Sequence, residues 1–153
     1  MLEFRLGRRI AVDFGVARIG IAISSVDGLI CSPLATVVND AQAFENILRL
    51  VAENDAFEVY VGLPLNLQGE RTRSTELAIE FAKELASLAS VPIRVIDERM
   101  STRAAQGQLL ASGKNTRQSK GIIDAAAASL ILESALAFEK ATGKTPGHDV
   151  TEY

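Results

Sequence analysis

The first forty residues show the short apolar runs and turn signals that are typical of strands. The segments 8–14 and 19–24 are separated by Gly15-Val16-Ala17-Arg18. Parallel strands need a long crossover connection, which a turn of this length cannot supply. These two strands are therefore predicted to pair antiparallel. A third strand is expected within Ile30–Val38, after the turn signal Asp27-Gly28. The chain is therefore predicted to begin with a three-stranded meander.

After residue 40, helical periodicity alternates with further strands. Phe57–Leu63 and Val91–Ile96 have the composition of buried strands, and Asp40 is a candidate N-cap for the helix that precedes them. A short helix is expected after Ser101, and a long one from near Lys120 to Glu139. Strands alternating with helices imply parallel pairing through right-handed crossovers. The predicted fold is α/β, with a mixed five-stranded sheet (three antiparallel strands, then parallel ones), strand one central and helices on both faces.

The domain organisation follows from length and composition. The chain has 153 residues, of which 48% are apolar and 23% charged, which is typical of one globular domain. We assign this domain to residues 1–140. Residues 141–153 contain Gly143, Pro146 and Gly147 and lack apolar periodicity, so they are expected to form a disordered tail.

The sequence lacks the features of a membrane span, of a disulfide-bonded secreted protein and of a Cys/His zinc site. No apolar run approaches the roughly 20 residues of a membrane span, and the N-terminus has no signal-peptide pattern, so no membrane association is expected. The single cysteine, Cys31, cannot form an internal disulfide, which favours the cytoplasm. With one histidine, His148, the chain cannot build a zinc site from Cys and His.

The net charge of −3 hides an uneven distribution. Residues 40–89 carry four basic and nine acidic side chains, whereas residues 90–125 carry six basic and three acidic ones. The positive excess therefore accompanies part of the chain that also carries candidate catalytic carboxylates. A local basic surface can bind a phosphate backbone even when the whole chain is acidic.

Carboxylates stand out at three places in the sequence. Asp13 ends the first strand, and Asp97 and Glu98 end the last predicted one. Because strand side chains alternate, only one of the latter pair can face a common site, and we favour Glu98, with Asp97 bracing the turn. Asp124 is predicted in the first turn of the long helix, on the side that packs against the sheet. Each also has a structural interpretation, as a hydrogen-bonded strand end, a solvated charge cluster or a helix cap.

In the predicted topology these acids meet at one edge of the sheet. Strands one and five run parallel, so Asp13 and Glu98 emerge together, and the returning helix brings Asp124 to them. Three clustered carboxylates require a compensating cation to stay ionised, and oxygen-only ligation suits Mg²⁺ or Mn²⁺. Such a site activates water and stabilises a leaving oxygen at a phosphodiester.

Four sequence blocks in order carry a family resemblance that spans about residues 8–139. The blocks are Asp13-Phe14-Gly15 with Arg18-Ile19-Gly20, Gly62-Leu63-Pro64-Leu65-Asn66, Asp97-Glu98-Arg99-Met100-Ser101-Thr102, and Ile123-Asp124-Ala125-Ala126-Ala127. In these blocks the chain resembles the bacterial YqgF/RuvX family, whose members have an RNase H-like fold and are described as Holliday-junction resolvases or as nucleases that mature the 5′ end of pre-16S rRNA.

The resemblance implies a magnesium-dependent nuclease whose acidic triad is Asp13, Glu98 and Asp124. Arg18 is expected to contact a substrate phosphate or to pair with Asp13, and Asn66 to contact substrate or to shape its loop. Further substrate contacts are expected from a basic rim that includes Arg99, Arg103 and Lys120, part of which is equally well explained as a solvated surface.

Four functions are compatible with these sequence features. The leading one is maturation of precursor rRNA, with ribosomal assembly intermediates as partners. The protein is expected to be a monomer or a weak homodimer. The second is resolution of branched DNA by the same chemistry. The others are a nucleotide-binding fragment, suggested by the Asp-Phe-Gly hairpin, and a non-catalytic ribosome-assembly scaffold, which requires the carboxylates to be structural.

Overall fold

The computed structural model describes residues 3–97 and 116–153, with residues 116–123 described by their backbone alone. The expected short helix after Ser101 lies outside the described residues. The elements, in chain order, are β1 (Arg9–Asp13), β2 (Arg18–Ser24), β3 (Cys31–Val38), α1 (Ala43–Glu53), β4 (Glu58–Leu63), α2 (Arg73–Leu88), β5 (Ile93–Asp97), α3 (Thr116–Thr142), β6 (His148–Asp149) and a 3-10 helix (Val150–Glu152).

The strands form one mixed sheet in the order β3-β2-β1-β4-β5-β6. Strands β1, β2 and β3 pair antiparallel, whereas β1, β4 and β5 are parallel neighbours. This confirms the predicted α/β class, the opening meander and the interior position of β1. Because β1, β4 and β5 run in the same direction, their carboxyl ends meet along one side of the sheet, here called the carboxyl edge.

The two faces of the sheet bury different side chains because strand residues alternate. Ile10, Val12 and Val61 face α1 and α2, while Ala11, Ala22 and Tyr60 face α3. Small residues dominate the α3 side of the sheet's centre, so the helix can lie close to the strands.

Helix α3 differs from its prediction in where it begins, whereas the face that it buries agrees with the predicted one at all but its last position. It begins at Thr116 rather than near Lys120, so Asp124 lies in its third turn instead of its first. Helical periodicity predicts Ala127, Ala128, Ile131, Ala135 and Phe138 on the side that packs against the sheet. The first four are buried, together with Leu132 and Leu136, and Phe138 is 45% exposed. Free amides at the helix start therefore do not stabilise the Asp124 carboxylate.

Helix α1 also begins later than its predicted cap. Its N-cap is Gln42, whose side chain makes no capping bond, and Asp40 accepts a hydrogen bond from the Gln42 amide at 2.9 Å. Asp40 thus forms the turn that leads into the helix instead of capping it.

The C-terminal residues form regular structure, in contrast to the disordered tail predicted for residues 141–153. Strand β6 pairs antiparallel with β5 and supplies the sixth strand of the sheet. Arg94 on β5 donates hydrogen bonds to the carbonyls of Pro146 and Gly147 at 2.6 and 2.8 Å, and Val150 is buried in the core. The glycine and proline residues that suggest a disordered tail are held by these long-range contacts, which local periodicity does not reveal.

A buried ionic cluster closes the opposite edge of the sheet, where β1 and β4 begin. Arg9 and Glu139 are almost fully buried and form an ion pair at 2.9 Å, and Arg5 bridges Glu139 and Glu58 at 2.7 and 2.8 Å. Tyr60 donates its hydroxyl to Glu58 at 2.9 Å. Burial alone would raise the pKa of Glu139, but the hydrogen bonds from Arg5 and the charge of Arg9 hold it below its usual value. We call these five residues the basal cluster.

Candidate active site

Asp13 is the last residue of β1 and lies at the carboxyl edge. It pairs in register with Gly20 on β2, and alternation places both residues on the face that α3 covers. Asp13 is partly buried. The sequence therefore delivers a carboxylate to the α3 side of the carboxyl edge, as the hypothesis of an acidic site requires.

Gly20 brings the helix to this carboxylate. A β-carbon at position 20 would lie 2.0 Å from the carbonyl oxygen of Asp124 and 2.8 Å from the amide nitrogen of Ala125. Only glycine permits this approach of two backbones. Since Asp13 and Gly20 are cross-strand neighbours, the backbones of Asp13 and Asp124 lie within about 9 Å of each other. The structure thus brings together two of the three predicted catalytic acids.

Arg18 forms an ion pair with Asp124 across this contact. Its Nε donates to Oδ2 of Asp124 at 3.0 Å, and the two side chains are 39% and 22% exposed. Arg18 is expected from the sequence to contact a substrate phosphate or to pair with Asp13, and the carboxylate that it contacts in the described residues is that of Asp124. The arginine supplies the positive charge that a carboxylate in the third turn of a helix does not obtain from the helix N-terminus.

The turn that carries Arg18 is fixed by contacts that sequence reasoning missed. A β-carbon on Gly15 would lie 2.3 Å from the Arg18 carbonyl oxygen, so the turn is as tight as glycine allows. Asn39 donates its side-chain amide to the carbonyls of Gly15 and Val16 at 2.9 and 3.1 Å. The only available signal was an asparagine directly after the third strand, which is too common to single out.

Asn66 shapes the loop after β4. Its Oδ1 accepts hydrogen bonds from the amides of Gln68 and Glu70 at 3.0 and 2.8 Å, and its Nδ2 donates to the Glu70 carboxylate at 3.2 Å. Both polar ends of the side chain are engaged within the loop. This geometry supports the loop-shaping interpretation over direct contact with a substrate.

The remaining predicted site residues divide between described and undescribed positions. Asp97 follows Ile96, which faces α3, so alternation places Asp97 on the other face of the sheet, where Tyr153 packs. Burial and the nearby charges of Glu152 and Asp97 raise the pKa of Tyr153. Glu98, Arg99 and Arg103 lie outside the described residues, as does the side chain of Lys120.

The described carboxylates fit a hard divalent cation. The part of the chain that the structure describes holds no cluster of three or more metal-ligating side chains. Mg²⁺, however, is commonly bound through one or two carboxylates, with water and phosphate oxygens completing its shell. Asp13 and Asp124 supply two such carboxylates.

Comparison with protein families gives one match over most of the chain. Residues 7–138 match the model of the RuvX family, described as "Holliday junction resolvase". The described helices include none that is long and apolar enough to cross a membrane.

Relatives and solved structures agree with this match. Proteins named "Putative pre-16S rRNA nuclease" are 48% identical over 146 residues in Clavibacter michiganensis subsp. michiganensis (94% of this chain, 91% of the relative) and 44% identical over 151 residues in Streptomyces coelicolor (97% and 90%). The structure of T. thermophilus RuvC in complex with a Holliday junction substrate superposes with a TM-score of 0.58 at 17% identity, covering 92% of this chain and 99% of that one. At that identity the likeness shows the fold alone, which is RNase H-like. Together with the match over residues 7–138, the relatives establish that the chain belongs to the RuvX family.

Proposed function

We propose that this protein is a metal-dependent nuclease that matures the 5′ end of precursor 16S rRNA in the bacterial cytoplasm. The observation that carries the proposal is the convergence of Asp13 and Asp124 at the carboxyl edge, made possible by the missing side chain of Gly20. The names of the relatives support precursor rRNA as the substrate.

In this proposal Asp13, Glu98 and Asp124 hold Mg²⁺ or Mn²⁺. When bound, the ion would supply positive charge to a phosphoryl oxygen and would make a nearby water molecule easier to deprotonate. The chain's own residues orient the reaction: Asp13 sits on a strand inside the sheet and Asp124 on a helix that packs against it, so neither carboxylate depends on a loop for its position. Arg18 neutralises a substrate phosphate next to the acids.

The basic residues beyond β5 are proposed to bind the flanking backbone. Arg99, Arg103 and Lys120 belong to the segment with the positive excess, and such contacts bind phosphate without reading base sequence. Binding should therefore weaken steeply as the salt concentration rises. Asn66 contributes by holding its loop at the carboxyl edge.

The test is cleavage of a transcript that spans the 5′ end of 16S rRNA and its precursor sequence. We expect Mg²⁺-dependent shortening to a defined 5′ end, mapped by sequencing, and a loss of at least about 10³-fold in rate for Asp13→Asn and Asp124→Asn, because each removes a proposed metal ligand. Asp55→Asn is the matched control. Asp55 has φ 51°, a conformation that asparagine tolerates, and it lies between α1 and β4, away from the carboxyl edge. Equal activity of the wild type and both site variants would refute the proposal.

The second candidate is resolution of four-way DNA junctions, favoured by the description of the family. Resolution requires two coordinated cuts, so it predicts a homodimer that cleaves junctions symmetrically. Parallel assays on a four-way junction and on the rRNA transcript, combined with the mass of the protein in solution, separate the two. Efficient paired cuts by a dimer favour the junction, and cleavage of the transcript by a monomer favours rRNA.

A further inference from the structure

The carboxylate proposed as a metal ligand on α3 already has a cationic partner. Arg18 donates through Nε to Oδ2 of Asp124 at 3.0 Å. This contact uses one of the five N–H groups of the guanidinium, so it is not the two-pronged contact that arginine makes with a carboxylate when both groups are committed to each other. Arg18 can therefore leave Asp124 at small cost.

Arg18 and a divalent cation need the same negative charge. Each cation that approaches the Asp124 carboxylate reduces the attraction that the other experiences, and the two cations repel each other at this distance. The pair is partly exposed, at 39% and 22%, so the competition is moderated by water but not abolished.

A substrate phosphate offers Arg18 an alternative partner. The guanidinium matches the geometry of a phosphate better than that of a single carboxylate oxygen. Arg18 is the first residue of β2 and is followed on the same face by Gly20, against which Asp124 packs, so its side chain lies beside the acids. A phosphodiester brought to these acids would come within reach of it.

We propose that Arg18 couples metal binding to substrate binding by exchanging partners: it pairs with Asp124 until a divalent cation takes that carboxylate, and it then binds a backbone phosphate. This inference rests on the proposed function. Because coupling between two binding events is reciprocal, a phosphodiester chain should tighten metal binding by the same factor as the metal tightens binding of the chain.

The direct test is calorimetric titration with Mn²⁺ alone. Removing the competing charge with Arg18→Gln should tighten Mn²⁺ binding roughly 3- to 10-fold, whereas Arg18→Lys, which keeps a cation able to pair with Asp124, should stay close to the wild type. Arg49→Gln is the matched control, since it breaks another exposed arginine–carboxylate pair, with Glu53 on α1, on the opposite face of the sheet. Unchanged or weaker Mn²⁺ binding by Arg18→Gln, with its thermal unfolding unaltered, would overturn the inference.

The second arm repeats the titration with a short RNA oligonucleotide, checked to be intact afterwards. In the wild type the phosphodiester should tighten Mn²⁺ binding more than an uncharged methylphosphonate analogue does, and Arg18→Gln should lose most of that difference. An equal gain in both proteins refutes the exchange of partners.

Failure of the inference is distinguishable from failure of the proposed function. If wild-type protein binds no Mn²⁺, or if Asp13→Asn and Asp124→Asn bind it as the wild type does, the metal site is absent and both fall. If those two variants lose Mn²⁺ binding while Arg18→Gln equals the wild type, the metal site stands and only the coupling is refuted.

Discussion

Replacing Gly20 with alanine should displace α3 from the sheet at the point where Asp124 is placed. The added β-carbon would meet the Asp124 carbonyl oxygen at 2.0 Å. Carbon and carbonyl oxygen approach to roughly 3.3 Å at the closest, so the helix backbone must retreat by roughly 1.3 Å. The atoms in conflict belong to the main chains of a strand and a helix, so rotation of a side chain cannot relieve the contact.

Two effects of opposite sign set the expected stability. Overpacking costs about 1–3 kcal/mol, and a conflict with backbone belongs to the upper part of that range. Alanine also reduces the conformational freedom of the unfolded chain, which offsets about 0.4–1 kcal/mol. We therefore expect the free energy of unfolding to fall by about 2 kcal/mol. A displacement of this size at a catalytic centre can cost about 10²-fold in rate, so cleavage and Mn²⁺ affinity should fall as well.

Urea unfolding followed by circular dichroism measures the stability, and calorimetry measures Mn²⁺ affinity. Ser32→Ala, at an exposed position on β3, is a control for a small substitution in a neighbouring strand and should leave both quantities unchanged. The reasoning is refuted if Gly20→Ala unfolds at the same urea concentration as the wild type and binds Mn²⁺ equally well.

Further predictions concern the basal cluster and the C-terminal strand. Glu139→Gln leaves the buried charge of Arg9 without its counter-ion, so it should lower the free energy of unfolding by about 3 kcal/mol in urea unfolding. The control, Glu133→Gln at an exposed position on the same helix, should change this free energy little. The pKa of Glu139 is held below its usual 4.5, so the ionised carboxylate stabilises the fold above that pH, and this stabilisation is lost as the pH falls further. The free energy of unfolding of Glu139→Gln should therefore depend less on pH below about pH 5 than that of the wild type. Parallel pH curves for the two proteins would contradict this role of Glu139. Deletion of residues 146–153, or Arg94→Ala, should lower stability by about 1–3 kcal/mol, and an unchanged urea midpoint would show that β6 contributes nothing to the sheet.

Local patterns were sufficient to predict most of the fold. The turn before Arg18 required an antiparallel hairpin, and the strand–helix alternation after residue 40 required parallel neighbours, because both conclusions depend only on connection length and periodicity. Asp13 was a candidate site residue because a carboxylate in an apolar strand is costly to bury without a partner, and Asp124 because helical periodicity places it on the side that packs against the sheet.

Features that depend on contacts distant in sequence could not be predicted in the same way. Residues 141–153 lack the periodicity of a regular element, and contacts with β5, about fifty positions earlier, order the end of the chain: Arg94 binds the carbonyls of Pro146 and Gly147, and β6 pairs with the strand. Nothing in the local sequence around Glu139 indicates its ion pairs with Arg5 and Arg9. The choice of Asp124 over Asp13 as the partner of Arg18 depends on how deeply α3 packs, which Gly20 decides.

The basal cluster also restricts the order in which the chain can fold. Arg9 and Glu139 are separated by 130 positions, yet β1 cannot bury its arginine until α3 has supplied the counter-charge. Contacts at such separation require the closure of a long loop and slow the search for the native state. The opening hairpins are therefore not an autonomous folding nucleus. A fragment that stops before α3 should remain without fixed tertiary structure, and the sheet and its last helix should form and melt in a single cooperative transition.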